Sequence, residues 1–413
     1  MAYDRRLVVA LACGLCAGVG AAAWMLYLPA LGVAAGQDWM VFHTVARAWL
    51  HGNAALADEP NRLTALINWK FRHWLAVSLD LHPWLYPPSF LLLLLPFGAL
   101  PFFPAWAAFQ CVTGGLLVAA LWRWSGAGRW RPLLVLVVLA SPAAAFNLIV
   151  GQNGFLTAAL FVAGFGLLPA RPLLGGVALG LLTLKPQLGV LIPLALLADR
   201  NPRAIAGAAL GGLGLALASL AVFGARFWAG WLRMMLGGGP LLAEWDRSGR
   251  EYGTSLFANA HALGAGFGAA NLVQLAGTAG AAALTWVIWR GGLPRAQKFA
   301  GLLAATMLAA PHVSNYDMMV LAVGAGLLFC AALESGRAED GMRAGPLALT
   351  LLLWACPLAN PPAALPIGLL TPPLLLGVLL LLARRSRPLS AERDASRRDA
   401  MALPAYRLPG RSS

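Results

Sequence analysis

Charged side chains are scarce in this sequence. Only 11% of its 413 residues are Asp, Glu, Lys or Arg, whereas hydrophobic residues make up 60% and the mean hydropathy is +0.72. The surface of a soluble protein of this size needs about a quarter of its residues charged. The composition therefore excludes a soluble globule and predicts a polytopic membrane protein.

Signatures of common cofactor and metal enzymes are also missing. The sequence contains no Walker, Rossmann, zinc or EF-hand pattern and no repeat of 20–50 residues. The cysteines lie in apolar segments and imply no disulfide framework, and the C-x-x-C spacing of Cys13 and Cys16 reflects the abundance of small residues. Glycines at small-xxx-small spacings are typical of helix packing in membranes.

The net charge of +14 is concentrated in short loops and in the C-terminal segment RRSRPLSAERDASRRDA. A nucleic-acid-binding protein would carry this charge in a stripe or patch, so we expect no nucleic-acid partner. Basic loops stay on the cytoplasmic side of a membrane, and the distribution predicts cytoplasmic N- and C-termini. The apolar run that follows Arg5-Arg6 is too long for a secretory signal and predicts a retained first helix.

Apolar runs recur along the chain, and about 20 apolar residues cross a bilayer as a helix. This pattern predicts an all-α protein with about twelve transmembrane helices. Two of the runs are short, and we expect a break around Lys185-Pro186. The stretch 87–104 is interpreted as a re-entrant segment or a short paired helix. The predicted runs are 7–34, 104–122, 132–150, 154–170, 172–184, 187–198, 204–223, 270–289, 298–311, 316–333, 345–358 and 365–383.

With this threading, the extracytoplasmic face carries two long segments, 35–86 and 224–268, the first with helices lying in the membrane interface. We expect residues 1–385 to form one membrane domain and 386–413 to form a basic disordered tail. The few acidic residues predicted on the outer face limit where carboxylate chemistry can occur. They are Asp38, Asp58, Glu59, Asp80, Glu244, Asp246, Glu251 and Asp317.

Asp38 lies where the first apolar run should leave the membrane, at the start of an amphipathic pattern in QDWMVFHTVARAWL. One interpretation is structural, because Asp is a favoured helix N-cap. The other is functional, because an acid at the membrane boundary can meet the head of a lipid-linked substrate. A capping Asp can also be catalytic, so the two interpretations are compatible.

Three further polar groups interrupt apolar sequence. Lys185 in LLTLKPQLGVLIP either extends to the interface or meets a phosphate. His312, Asn315, Tyr316 and Asp317 in PHVSNYDMM exceed what a turn requires. Gln152-Asn153 in VGQNGFL either forms a turn or belongs to a site.

Five stretches of the sequence, taken in order, resemble glycosyltransferase family 87. They are GQDWMVFHTVARAWLHG, LYPPSFLLLLLPFGALP, GQNGFL, LLTLKPQLGVLIPLALL and PHVSNYDMMVLA. These are bacterial membrane enzymes of the GT-C type that use polyprenyl-phosphate-linked mannose or a related sugar. The resemblance covers roughly residues 5–385. In the family an aromatic residue, often Tyr, follows the acid by a few residues, whereas this chain has Phe42-His43 there.

The resemblance implies catalysis on the extracytoplasmic face, with Asp38 as general base in an inverting transfer of a hexosyl, by expectation mannosyl, unit. The donor is a polyprenyl-phosphate sugar and the acceptor is a lipid or glycan. The resemblance also implies a bacterial plasma (inner) membrane, where the protein contacts membrane lipid. No cofactor is implied, and the resemblance does not demand a metal. The candidate substrate- or phosphate-binding residues are Lys185, His312, Tyr316, Asp317, Gln152, Asn153, Tyr86, His43 and Arg47. A transporter or lipid flippase is the alternative, since Lys185 and Asp317 could line a path.

Overall fold

The computed structural model describes residues 34–237, 254–334 and 371–386. Within these ranges the chain is helical and has no β-strand, which confirms the predicted all-α class. The predicted runs 7–34 and 345–358, and the tail beyond Ser386, lie outside the described residues, as do Glu244, Asp246 and Glu251.

The first long segment, 35–86, folds into short helices followed by an irregular stretch. Helix α1 is Gln37–Leu50, a 3₁₀ helix is Ala54–Asp58, and α2 is Pro60–Lys70. Residues 71–87 then carry the chain to the next helix. The segment therefore contains helices, as predicted.

The remaining described elements are mostly apolar helices of unequal length. Two 3₁₀ helices, Gly128–Trp130 and Leu181–Leu184, lie among them. The α-helices are α3 Pro88–Gly98, α4 Phe102–Trp124, α5 Arg131–Leu139, α6 Pro142–Val150, α7 Gly154–Leu167, α8 Pro172–Gly180, α9 Pro186–Gly189, α10 Ile192–Ala198, α11 Pro202–Gly237, α12 Leu256–Ala262, α13 Phe267–Arg290, α14 Arg295–Ala309, α15 Met319–Glu334 and α16 Thr371–Arg385.

Three of the described helices, α4, α11 and α13, are long and apolar enough to cross a membrane. A fourth span results if α5 and α6, bent by 53° at their junction, count as one. The predicted count of about twelve is thus not confirmed, because runs such as 154–170 form helices shorter than a bilayer requires.

Two irregularities bear on the predicted boundaries. The chain breaks around Lys185-Pro186 as expected, between the 3₁₀ helix and α9. Helix α11 bends at Gly224, where φ is 75° and ψ is 166°, and continues to Gly237. The first part of the predicted outer segment 224–268 is therefore helical.

Helices α8 and α11 pack through glycines, as the small-xxx-small spacing predicts. A Cβ atom on Gly176 would lie 2.1 Å from the Ala204 carbonyl oxygen, and one on Gly207 would lie 2.1 Å from that of Leu173. No side chain fits at these distances, so the two backbones are in direct contact.

The aromatic core beneath the first segment holds α1 against α3 and α4. Trp39, fully buried, stacks on Phe109 with ring centroids 5.0 Å apart, and Phe42 meets Phe90 edge-on at 5.0 Å. This packing fixes α1, and with it Asp38, relative to α4, one of the long apolar helices.

Candidate active site around Asp38

Asp38 does not cap α1. The N-cap is Gly36, with φ 75°, and Asp38 lies in the first turn with no side-chain capping bond at the helix start. The capping interpretation is therefore wrong. The Asp38 carboxylate instead accepts hydrogen bonds from His82 Nε2 and from Gln152 Nε2, each at 3.0 Å. It is 14% exposed.

The irregular segment that follows α2 carries His82 to Asp38. Asn68 on α2 holds this segment at Leu79 through two hydrogen bonds. The Leu79 backbone N–H donates to Asn68 Oδ1 at 2.8 Å, and Asn68 Nδ2 donates to the Leu79 carbonyl at 2.9 Å. The His82 backbone N–H donates to Thr64 Oγ1 at 2.9 Å. Because a carboxylate only accepts, His82 Nε2 carries the proton in its bond to Asp38.

The Gln152 side chain has a fixed orientation. Its Oε1 accepts from the Tyr86 hydroxyl at 2.9 Å and from the Asn153 backbone N–H at 3.1 Å, which leaves its amide NH₂ directed at Asp38. Burial is the main cause that raises the pKa of Tyr86, so the phenol stays protonated as the donor.

Buried amide side chains hold the turn GQNG, residues 151–154, through hydrogen bonds to its backbone. Gln110 on α4 donates to the Gln152 carbonyl at 2.9 Å and accepts from Asn147 Nδ2 at 2.9 Å. Asn147 Oδ1 in turn accepts from the Gly154 N–H at 2.6 Å. The GQNG turn at the start of α7 is thereby held at a defined position relative to α4 and α6.

Lys185 lies on the opposite side of this turn, 2% exposed, at the break between the 3₁₀ helix and α9. Its ammonium is paired with Asp317 and lies 3.4 Å from Asn153 Oδ1. The rings of Tyr316 and Tyr86 flank it, with centroids 4.8 and 5.6 Å away. One continuous polar network thus runs from Asp38 through Gln152 and Asn153 to Lys185 and Asp317.

A family model for glycosyltransferase family 87 matches residues 84–311, more than half of the chain. The chain belongs to glycosyltransferase family 87. No curated protein and no solved structure matches it.

Family membership and the apolar helices make this chain a membrane glycosyltransferase, in agreement with the resemblance seen in its sequence. The matched range includes Tyr86, Gln152, Asn153 and Lys185, whereas Asp38 and Asp317 lie outside it. The structure nevertheless joins both sets of residues in one network.

The HVSNYD segment of this family 87 protein meets Lys185 through its last residues. Asp317 Oδ2 also accepts from the Ser314 N–H at 3.1 Å, which orients the carboxylate. Asn315 is fully buried, and neither polar atom of its side chain has a partner among the described residues. His312 lies at the start of this segment, and its ring meets the ring of Phe257 edge-on, with centroids 6.1 Å apart.

His43 and Arg47 occupy a different place from the other candidates. His43 is buried and its Nε2 donates to the Leu100 carbonyl at 2.9 Å. Both residues line a pocket with Lys70 on α2 rather than the network around Asp38. In the ranges that the structure describes, no three His, Cys, Asp or Glu side chains form a group that could hold a metal ion.

Sequence reasoning missed His82, Gln110 and Asn147. The two amides could have been found, because each interrupts an apolar run where an isolated polar group needs a partner. His82 gives no such signal, since it lies outside the predicted apolar runs, in an irregular stretch of the first segment.

Proposed function

We propose that this family 87 protein transfers a hexosyl, by expectation mannosyl, unit from a polyprenyl-phosphate donor to a lipid or glycan acceptor on the extracytoplasmic face. The transfer inverts the anomeric configuration, and Asp38 is the general base. The observation that carries the proposal is the polar network, in which a partly exposed carboxylate, Asp38, lies at one end and a buried cation, Lys185, at the other.

In the proposed reaction the acceptor oxygen attacks the anomeric carbon as its proton passes to Asp38. The bond between the anomeric carbon and the phosphate oxygen breaks on the opposite face, and its electron pair leaves with the polyprenyl phosphate. A single carboxylate suffices for this inverting step. His82 and Gln152 hold the Asp38 oxygens at 3.0 Å, and we assign both as positioning residues.

We assign Lys185 to the leaving-group side, where positive charge stabilises the phosphate that develops. Asp317 already pairs with this ammonium, so a phosphate there has to share the cation with Asp317. Tyr316, Asn153 and Tyr86 surround the ammonium and are proposed to contact the same phosphate. His312, the first residue of the same segment, is proposed to act on this side as well.

The test is product analysis with purified protein in nanodiscs. The protein is given polyprenyl-phosphate mannose, matched polyprenyl-phosphate donors of other hexoses and a panel of lipid and glycan acceptors, and products are identified by mass spectrometry. A new glycoside with inverted anomeric configuration, determined by NMR, is expected. Unreacted donor across the whole panel, together with solute uptake into liposomes, would reject the transferase in favour of a transporter.

A separate measurement tests the proposed face. Ser78 is exposed on the first segment, and Ser125 follows the last turn of α4 in a basic loop. Single cysteines at these positions, in a background without the native cysteines, are treated with impermeant maleimide on intact cells. Labelling at 78 and protection at 125 are expected, and the reverse pattern would place the site on the cytoplasmic side.

A further inference from the structure

A basic pocket lies beside α1, lined by residues of α1, of α2 and of the connection between α3 and α4. Its volume is about 340 Å³, and its lining comprises His43, Arg47, Lys70, Ala99, Pro101 and Phe102. Three of these side chains are basic and none is acidic. Among the described residues, neither Arg47 nor Lys70 forms an ion pair with a carboxylate.

The pocket is separate from the reacting groups. Arg47 follows Asp38 by nine residues on α1, which places it about half a turn around the helix and about 13 Å along it. An anion held by Arg47 therefore lies on the face of α1 away from Asp38. It cannot be the phosphate that leaves the anomeric carbon, because that phosphate is one bond from the atom that the acceptor attacks.

The position of the pocket points to the membrane surface. Pro101 and Phe102 stand at the start of α4, which is long and apolar enough to span the bilayer. Next to them, Phe103 is 53% exposed and contacts the ring of Trp74, which is 47% exposed, at 5.1 Å. Exposed aromatic side chains at the end of a span are typical of the level of the lipid headgroups.

The uncompensated charge of the pocket favours an anion. Burial lowers the pKa of Lys70, and the nearby Arg47 lowers it further. Burial is also the main cause that lowers the pKa of His43, with the charges of Lys70 and Arg47 acting in the same direction. A bound anion relieves this repulsion and favours the charged forms of both side chains.

From these observations the geometry points to a binding site for the phosphate of an anionic membrane lipid, held by Arg47 and Lys70 with His43 as the third wall. Arg recognises phosphate through paired N–H donors and Lys through a point charge. This lipid is distinct from the sugar donor, and it would anchor α1 and α2 at the membrane surface. The site goes beyond the proposed transfer reaction.

The test compares lipid retention by native mass spectrometry of wild-type protein and an R47Q/K70Q variant, each purified with phosphatidylglycerol or phosphatidylcholine. Wild type is expected to retain phosphatidylglycerol selectively, and the variant to lose at least fivefold in apparent affinity. Arg62→Gln is the matched control, because Arg62 is an exposed cation on the same helix that pairs with Glu59. The charge-conserving R47K/K70R variant should retain most of the binding.

Two further arms decide between sources and guard against misfolding. Inorganic phosphate at the same concentration should not displace the lipid; complete displacement would mean a free-phosphate site and overturn the lipid assignment. On wild type, a photoactivatable phosphatidylglycerol should crosslink to peptides containing residues 43–47 or 70. Crosslinks confined to other peptides, or equal retention by R47Q/K70Q and wild type, would overturn the proposal even if one variant misfolds.

Discussion

Lys185 and Asp317, separated by 132 residues in the chain, form an ion pair in which each side chain is 2% exposed. The pair ties the segment before α15 to the break between the 3₁₀ helix and α9. The attraction between the two buried charges offsets the free-energy cost of removing them from water, so the loss of one leaves the other uncompensated. This makes the pair a structural contact as well as a candidate part of the reaction, and a double substitution separates the two roles.

The single variants Lys185→Met and Asp317→Leu should each lose about 3–5 kcal/mol of unfolding free energy, because each leaves a buried unpaired charge. The K185M/D317L variant should recover most of that loss, since two apolar side chains replace the pair. Thermal unfolding in detergent measures stability, and product formation measures transfer. Transfer that stays at least about tenfold below wild type in the stable double variant supports a role for the Lys185 charge; full recovery would make the pair purely structural.

Asp38→Asn should reduce transfer at least about a hundredfold, because Asn keeps the size of the side chain but cannot accept the proton. Expression and unfolding temperature should stay near wild type. Asp80→Asn is the matched control, an exposed acid in the same segment, and should leave the rate unchanged. Activity of Asp38→Asn within tenfold of wild type would remove Asp38 from the role of base.

Much of this site could be predicted from the sequence because its groups stand out against an apolar background. Asp38, Gln152-Asn153, Lys185 and Asp317 are polar residues in or beside apolar runs, where a polar group needs a partner. The all-α class and the break at Lys185-Pro186 follow from apolar run length and proline chemistry.

What could not be predicted is which partner each group takes. Gly36 rather than Asp38 is the N-cap of α1, and His82 reaches Asp38 from an irregular segment that Asn68 holds through hydrogen bonds to Leu79. The predicted number of spans is not confirmed within the described residues, because apolar composition does not distinguish a full crossing from the short helices that α7 to α10 form.

Tyr86→Phe should lower the turnover number about tenfold with little change in unfolding temperature. The substitution removes the hydroxyl that donates to Gln152 Oε1, a hydrogen bond of about 1 kcal/mol, and so loosens the amide that faces Asp38. The ring contacts with Phe42 and Phe90 are kept. Steady-state kinetics measures the effect; a change confined to KM would instead place Tyr86 in ground-state binding.

Gly154→Ala should impair both stability and transfer. A Cβ atom there would lie 2.5 Å from the Tyr316 carbonyl oxygen and 2.8 Å from Asn147 Oδ1, so the turn has to move away from the segment that carries Asp317. We expect a loss of about 1–3 kcal/mol. Gly115→Ala on α4 is the control, since a Cβ atom there meets nothing within 4 Å. Equal behaviour of the two variants would show that the contact at Gly154 is easily accommodated.

If the basic pocket holds an anionic lipid, retention of phosphatidylglycerol should strengthen as the pH falls from about 7.5 to about 5.5. Burial lowers the pKa of His43 from 6.5, helped by Lys70 on α2 and Arg47 on α1 and opposed by the hydrogen bond to the Leu100 carbonyl. The free pocket therefore holds a neutral imidazole at pH 7, and a bound phosphate diester favours the protonated one. By linkage, affinity rises as the pH falls toward the lowered pKa of the free His43, because the lipid-bound form takes up the proton more readily. Native mass spectrometry across this range measures the change.

His43→Gln should flatten the profile, and His73→Gln, at an exposed position of the same segment, should not. A profile unchanged by His43→Gln would show that His43 takes no part in holding the lipid.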